Sequence, residues 1–195
     1  DRSPIALSPE RAKQVASLHG KYGGDFYRFA NSFFDLLGAD AGGGRGPEVG
    51  DVVENLTFQT HEGETLSFAD LRGTGAAALV LFNTAGWCVQ CTECMPELLG
   101  LHERYADRGL LTMVSIFQSR HYDTPSVRDA AFFRRSHALE IPVLADTNAV
   151  VERYFPRVSL PMVMIVNLET MTLLSAKMEF EIDAAAATLE GHLWD

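Results

Sequence analysis

The chain has 195 residues, 47% hydrophobic and 22% charged, which is an ordinary globular composition with length for one full core and a small appendage. A net charge of −10 argues against nucleic acid and anionic membrane surfaces as partners, since phosphate binding wants clustered Lys and Arg. No apolar run approaches the roughly 18–20 residues of a membrane-spanning helix, so no membrane insertion is expected of this segment.

In chain order, Ser8-Pro9-Glu10 reads as a helix start, with a capping Ser, a first-turn Pro and a Glu that suits the helix dipole. A second helix fits Asp25 to Leu37, where Phe26, Phe29, Phe33 and Leu37 share one face and Gly38 ends the run. That face packs on the main domain, meets a second copy or a partner groove, or belongs to a membrane-proximal stalk. Ala41 to Pro47 is a glycine-rich linker. Residues 1–46 are therefore expected to form a helical extension, and residues 47–195 the main domain. The chain starts at Asp1 rather than Met, which suggests a processed or truncated start, with room for a leader or lipid anchor before it.

From Gly50 the periodicity changes. Leu56–Gln59 and Thr65–Phe68, around His61-Glu62-Gly63, predict a hairpin. Ala76 to Asn83 predicts a buried strand, and a helix follows from about Cys88 to Arg108. Leu110–Phe117 predicts a strand, Pro125–Leu139 a helix, Ile141–Ala145 a short strand and Thr147–Tyr154 a short helix. Strands at Met162–Asn167 and Thr172–Met178 and a helix at Asp183–Leu193 complete the chain. This alternation predicts an α/β fold with a central sheet flanked by helices on both faces. The only basic cluster, Arg134-Arg135, reads as a solvated helix face.

The three cysteines fall within seven residues, a clustering that points to chemistry or metal rather than to a disulfide scaffold. The buried strand ending at Asn83 leads through Thr84-Ala85-Gly86-Trp87 into Cys88-Val89-Gln90-Cys91 at a helix start. Helix N-termini carry partial positive charge and free N–H groups, which stabilise a thiolate on the first cysteine. The thiolate is the attacking species in disulfide exchange, and Cys91 is placed to return on a mixed disulfide at Cys88. Cys94 lies on the same helical side as Cys91. Neighbours three apart on a helix have Cβ atoms about 5–6 Å apart, against about 3.8 Å in a disulfide, so Cys94 reads as a semi-buried free thiol. A backup redox role is its first alternative. A metal role for the three thiols is its second, with His102 as a fourth ligand.

These residues resemble the thioredoxin superfamily, closest to its TlpA/ResA-like, AhpC/TSA-related redoxin branch, over Gly50 to Trp194. Trp87 precedes the first cysteine, Pro96 lies five residues after Cys91, and Met95-Pro96-Glu97-Leu98 matches the run after the TlpA-like site. Asp146 after Pro142-Val143-Leu144 and Pro161 before an apolar strand also match. The resemblance implies a thioredoxin-like fold, a central mixed sheet with flanking helices and the N-terminal helical extension outside it. It implies a thiol–disulfide oxidoreductase with Cys88 and Cys91 catalytic, Trp87, Leu160 and Pro161 contacting substrate, and a cis Pro161. No cofactor and no resident metal are expected. Its partners would be protein thiol or disulfide substrates and a redox donor protein, in the bacterial periplasm or on a membrane tether, with the cytoplasm as the alternative. A peroxiredoxin-like peroxide reductase is the second reading, although Ala85 stands where a peroxidatic Thr would be. A metal or copper carrier on the same fold is the third. An interaction module working through the N-terminal helices is the fourth. The family's buried acid would sit at position 82, which is Phe82 here; Glu140 and Asp146, read as surface or turn residues, are the substitutes considered. Val89-Gln90 replaces Gly-Pro, so the resemblance assigns no direction of electron flow.

Overall fold

Every residue of the strand Ala78–Ala85 is buried, as a continuous apolar run requires of a strand covered on both faces. The computed structural model describes residues 48–193, together with Lys13 and Ser17. The expected Phe-rich helix and the linker lie outside the described residues.

Of the described residues, 48–155 and 159–193 form one compact unit. Its hairpin is β1 (Thr57–Thr60) and β2 (Thr65–Ser67), with Phe58 opposite Leu66. A one-turn helix α1 (Phe68–Leu71) leads to β3 (Ala78–Ala85). The short α2 (Val89–Glu93) and longer α3 (Met95–Tyr105) lead to β4 (Leu110–Gln118). Then come α4 (Val127–Ser136), β5 (Val143–Ala145), β6 (Met162–Asn167), β7 (Thr172–Lys177) and α5 (Ile182–Leu193). The seven strands are ordered β2-β1-β5-β4-β3-β6-β7. β3, β4 and β5 run parallel, while β1 pairs antiparallel with β5, β6 with β3 and β7 with β6.

Alternate residues of β3 (Ala78, Val80 and Phe82) share a core with Leu98 and Leu101 of α3, Phe133 of α4 and Leu189 of α5. The three longer helices thus lie on one face, a correction to the expected two-sided arrangement. Two successive right-handed crossovers, β3 to β4 and β4 to β5, step the same way along the sheet and leave their helices on the same side.

Two expected helices differ in detail. The helix from Cys88 is interrupted at Cys94, because Pro96 in the next turn has no N–H to bond back to Thr92. The helix expected at Thr147–Tyr154 reduces to a 3-10 turn at Glu152–Tyr154. There the Asp146 carboxylate accepts the N–H groups of Val150 (2.9 Å) and Val151 (3.1 Å), closing a turn in place of a helix.

Candidate active site at the end of the central strand

β3 delivers the chain through Ala85, Gly86 and Trp87 to Cys88, which caps α2. The Cys91 N–H donates to Cys88 Sγ at 3.2 Å, and the two cysteines are joined by a disulfide with Cα atoms 5.3 Å apart. Cys88 is 7% exposed and Cys91 fully buried, so the outer sulfur is the one that a partner can reach. Both sit in the core cluster beneath the helices. Cys94, partly buried, is a free thiol whose Sγ faces the Gln90 carbonyl at 3.5 Å. Burial, then Glu97 and Glu93, push that thiol's pKa up, which disfavours its thiolate.

Leu160-Pro161 is a cis peptide immediately before β6, and Leu160 packs against the cluster that holds both cysteines. Trp87 also packs on that cluster. Its indole Nε1 donates to Gln118 Oε1 at 2.9 Å, and its ring stacks on Tyr122 with centroids 5.4 Å apart. Gln118 in turn donates from Nε2 to the Tyr122 carbonyl at 2.8 Å. Gln118 reaches this place because the β3–β4 register slips between Thr84 and Ala85, bringing it beside Ala85. Tyr122 sits at φ 68°, in the left-handed region, where Ser119 holds the loop: its Oγ accepts from the N–H groups of His121 and Asp123. Sequence reasoning missed this loop. The signal available was its position, since it follows the C-terminal end of a parallel strand beside the motif, where α/β sheets form their sites.

Gly86 has a steric reason to be glycine. A Cβ built on it would stand 2.7 Å from the Arg120 backbone N, so only a glycine lets this loop close against the motif.

The buried-acid position is apolar in fact. Phe82 is fully buried and meets Phe180 edge-on, with centroids 5.8 Å apart. Asp146 is 1% exposed, so the surface reading of it is corrected, while its role in a turn stands. Burial raises its pKa against the opposing pull of the Val150, Val151 and Asn148 N–H groups. Half-buried Glu152, which the sequence did not single out, is pushed up to about 7 by burial and by Asp146. Glu140 is exposed, and Arg134 donates to its backbone carbonyl rather than to its carboxylate. His102 Nδ1 is buried without a hydrogen-bond partner, and among the described residues no three His, Cys, Asp or Glu side chains converge as a metal-ligand set.

The sequence pattern of the AhpC/TSA family matches residues 49–171. No curated protein matches the chain. Among solved structures, the peroxidoxin BcpB from Mycobacterium tuberculosis is similar at 21% identity and TM-score 0.58, covering 74% of this chain and 97% of its own. A putative thiol:disulfide interchange protein DsbE from Chlorobium tepidum is similar at 17% identity and TM-score 0.61, covering 74% and 96%. The thioredoxin domain of a thiol-disulfide oxidoreductase from Bacteroides vulgatus is similar at 18% identity and TM-score 0.59, covering 75% and 99%. At these identities the likeness is one of fold, and the fold is thioredoxin-like.

Proposed function

Because the chain belongs to the AhpC/TSA family, we propose that it is a thiol–disulfide oxidoreductase that exchanges disulfides with protein substrates through Cys88 and Cys91. The observation that carries this reading is the asymmetric pair: a reachable Cys88 sulfur receiving the Cys91 N–H, and a Cys91 buried behind it. In the reducing direction, the Cys88 thiolate attacks one sulfur of a substrate disulfide. A Cys88–substrate bond forms, the substrate S–S bond breaks, and the second substrate sulfur leaves as a thiolate. Cys91 loses its proton and attacks Cys88 Sγ. The mixed disulfide breaks, the substrate leaves as a dithiol, and two electrons have passed from the protein. A donor dithiol protein restores the Cys88–Cys91 pair by the same steps reversed.

Trp87 covers the pair from one side, and Leu160 and Pro161 offer backbone to an extended substrate segment. The main domain working this chemistry is residues 47–195, with residues 1–46 as an appended extension. The TlpA-like resemblance supports a place outside the bacterial cytoplasm; among the described residues no helix is long and apolar enough to cross a membrane.

The test uses Cys91→Ser and Cys88→Ser with a disulfide-bonded peptide. Cys91→Ser, reduced, accumulates a mixed disulfide at Cys88, and Cys88→Ser forms none. Unchanged turnover by Cys88→Ser would refute the assignment.

The family match favours one second reading, peroxide reduction. There the Cys88 thiolate takes the terminal oxygen of a hydroperoxide, releasing an alcohol, and Cys91 condenses with the resulting sulfenic acid, releasing water. Catalytic peroxide consumption with a sulfenic acid trapped on Cys88 would put this reading first.

A further inference from the structure

Of the five large hydrophobic side chains exposed among the described residues, Val89 lies between the cysteines, Tyr122 stacks on Trp87, and Phe132 lies on α4. Phe132 is 44% exposed, and the Arg120 guanidinium lies 4.7 Å over its ring. Arg128 and Arg135, four residues before and three after Phe132, share its helical face, and both are exposed. One guanidinium group thus lies on an open aromatic ring, and two more arginines belong to the same helical face.

Among the described residues, none of these three arginines lies within ion-pair distance of a carboxylate, whereas Arg104 and Arg153 are paired with Glu190 and Glu54. Arg120 instead donates to His121 Nε2 at 2.9 Å. The nearby Asp129 carboxylate is occupied by the N–H and hydroxyl of Ser126. On a chain of net charge −10, an unneutralised basic strip runs against the background. It also begins at the redox pair, since the Arg120 backbone abuts Gly86 and Tyr122 stacks on Trp87.

We propose that the strip of Tyr122, Arg120, Phe132, Arg128 and Arg135 is the docking surface for an acidic, extended segment of the partner protein. The proposal rests on the thiol-exchange reading and deepens it by giving the partner its chemistry. Seven residues of helix separate Arg128 from Arg135 by about 10 Å, a spacing that suits several carboxylates along a chain better than one small anion. The exposed ring takes an apolar side chain between those carboxylates, with Arg120 stacked on it.

The test is fluorescence anisotropy on the oxidised protein with two dye-labelled peptides that lack thiols. One carries Glu on both sides of a central Leu-Ser, and the other has Gln at the same places. At about 20 mM salt the Glu peptide is expected to bind roughly tenfold tighter, and at about 300 mM the advantage shrinks severalfold as the charges are screened. The double variant Arg128→Gln, Arg135→Gln brings the two peptides to within about twofold, and Arg→Lys at both positions retains most of the difference. Thermal melts confirm that each variant is folded. Equal binding of the two peptides by the unaltered protein overturns the proposal, as does a preference that survives the double Gln variant. A labelled oligonucleotide binding as tightly as the Glu peptide overturns the commitment to a polypeptide. The same peptides with Cys for Ser, presented to the reduced protein as mixed disulfides with a small thiol, separate the two readings, because only a free Cys88 thiolate can attack them. Binding preference without any exchange leaves the docking surface standing and removes the exchange reading.

Discussion

Replacing Gly86 by Ala tests whether the Ser119–Tyr122 loop is a built wall of the site or an incidental neighbour. The added methyl would stand 2.7 Å from Arg120 N, 3.1 Å from the Ser119 carbonyl carbon and 3.3 Å from Arg120 Cα. All three atoms are backbone, so no side chain can swing aside. The loop must retreat, which weakens the Gly86 N–H bond to the Gln118 carbonyl, now 2.9 Å, and draws Gln118 and Tyr122 away from Trp87. Overpacking of this kind costs about 1–3 kcal/mol, and a lost hydrogen bond about 1 kcal/mol more. Gly86→Ala is therefore expected to lose about 2–4 kcal/mol in urea denaturation. Its Trp87 emission should move toward that of a solvated indole, read with Trp194 replaced by Phe. Stability within about 0.5 kcal/mol of the parent and unchanged emission would show that the loop is no built wall of the site, since so tight a backbone contact leaves no neutral outcome.

Gln118→Leu removes the acceptor of the indole N–H and the donor to the Tyr122 carbonyl, and should cost about 1–2 kcal/mol with a shifted Trp87 emission; an unshifted spectrum counts against the clamp. Asp146→Ala strips the acceptors from the Val150 and Val151 N–H groups, and should destabilise by about 2 kcal/mol in the same denaturation assay. Glu152, raised to about 7 in the fold, favours its protonated form there; its stabilising effect is complete below its ordinary value of 4.5 and is lost as pH rises through about 7. Denaturation at pH 5 and pH 8 should therefore show a fall on the order of 1–2 kcal/mol after allowance for partial exposure, and Glu152→Gln should flatten it. A slope identical in the variant would place the titration elsewhere. In the reduced protein at pH 7, alkylation should reach Cys88 first, because Cys91 is fully buried and the Cys94 thiol is raised; mass mapping that finds Cys94 first would reverse that order.

Local pattern carried the sheet and the motif. The run from Ala76 needed no tertiary information to be read as a buried strand, and Cys88 and Cys91 at the following helix start were fixed by spacing alone. What stayed out of reach depended on contacts between distant segments. Arg120 and Phe132 are unremarkable in the sequence, and become a cationic strip only because a loop folds over α4. Gln118 gained its role from a register slip that no periodicity announces. Asp146 defied the usual exposure of carboxylates because backbone N–H groups compensate its burial. Phe82, by contrast, was readable at once as an apolar residue in an acid's place, and its contact with Phe180 bears this out.

Whether Cys88 and Cys91 work as a redox couple is read by equilibrating the protein in graded redox buffers and trapping the thiols for mass spectrometry, with Cys88, Cys91 and Cys94 resolved separately. One reversible two-electron transition confined to Cys88 and Cys91 is expected, with Cys94 a free thiol throughout. A transition that includes Cys94, or a Cys88–Cys91 pair that does not respond, would contradict it.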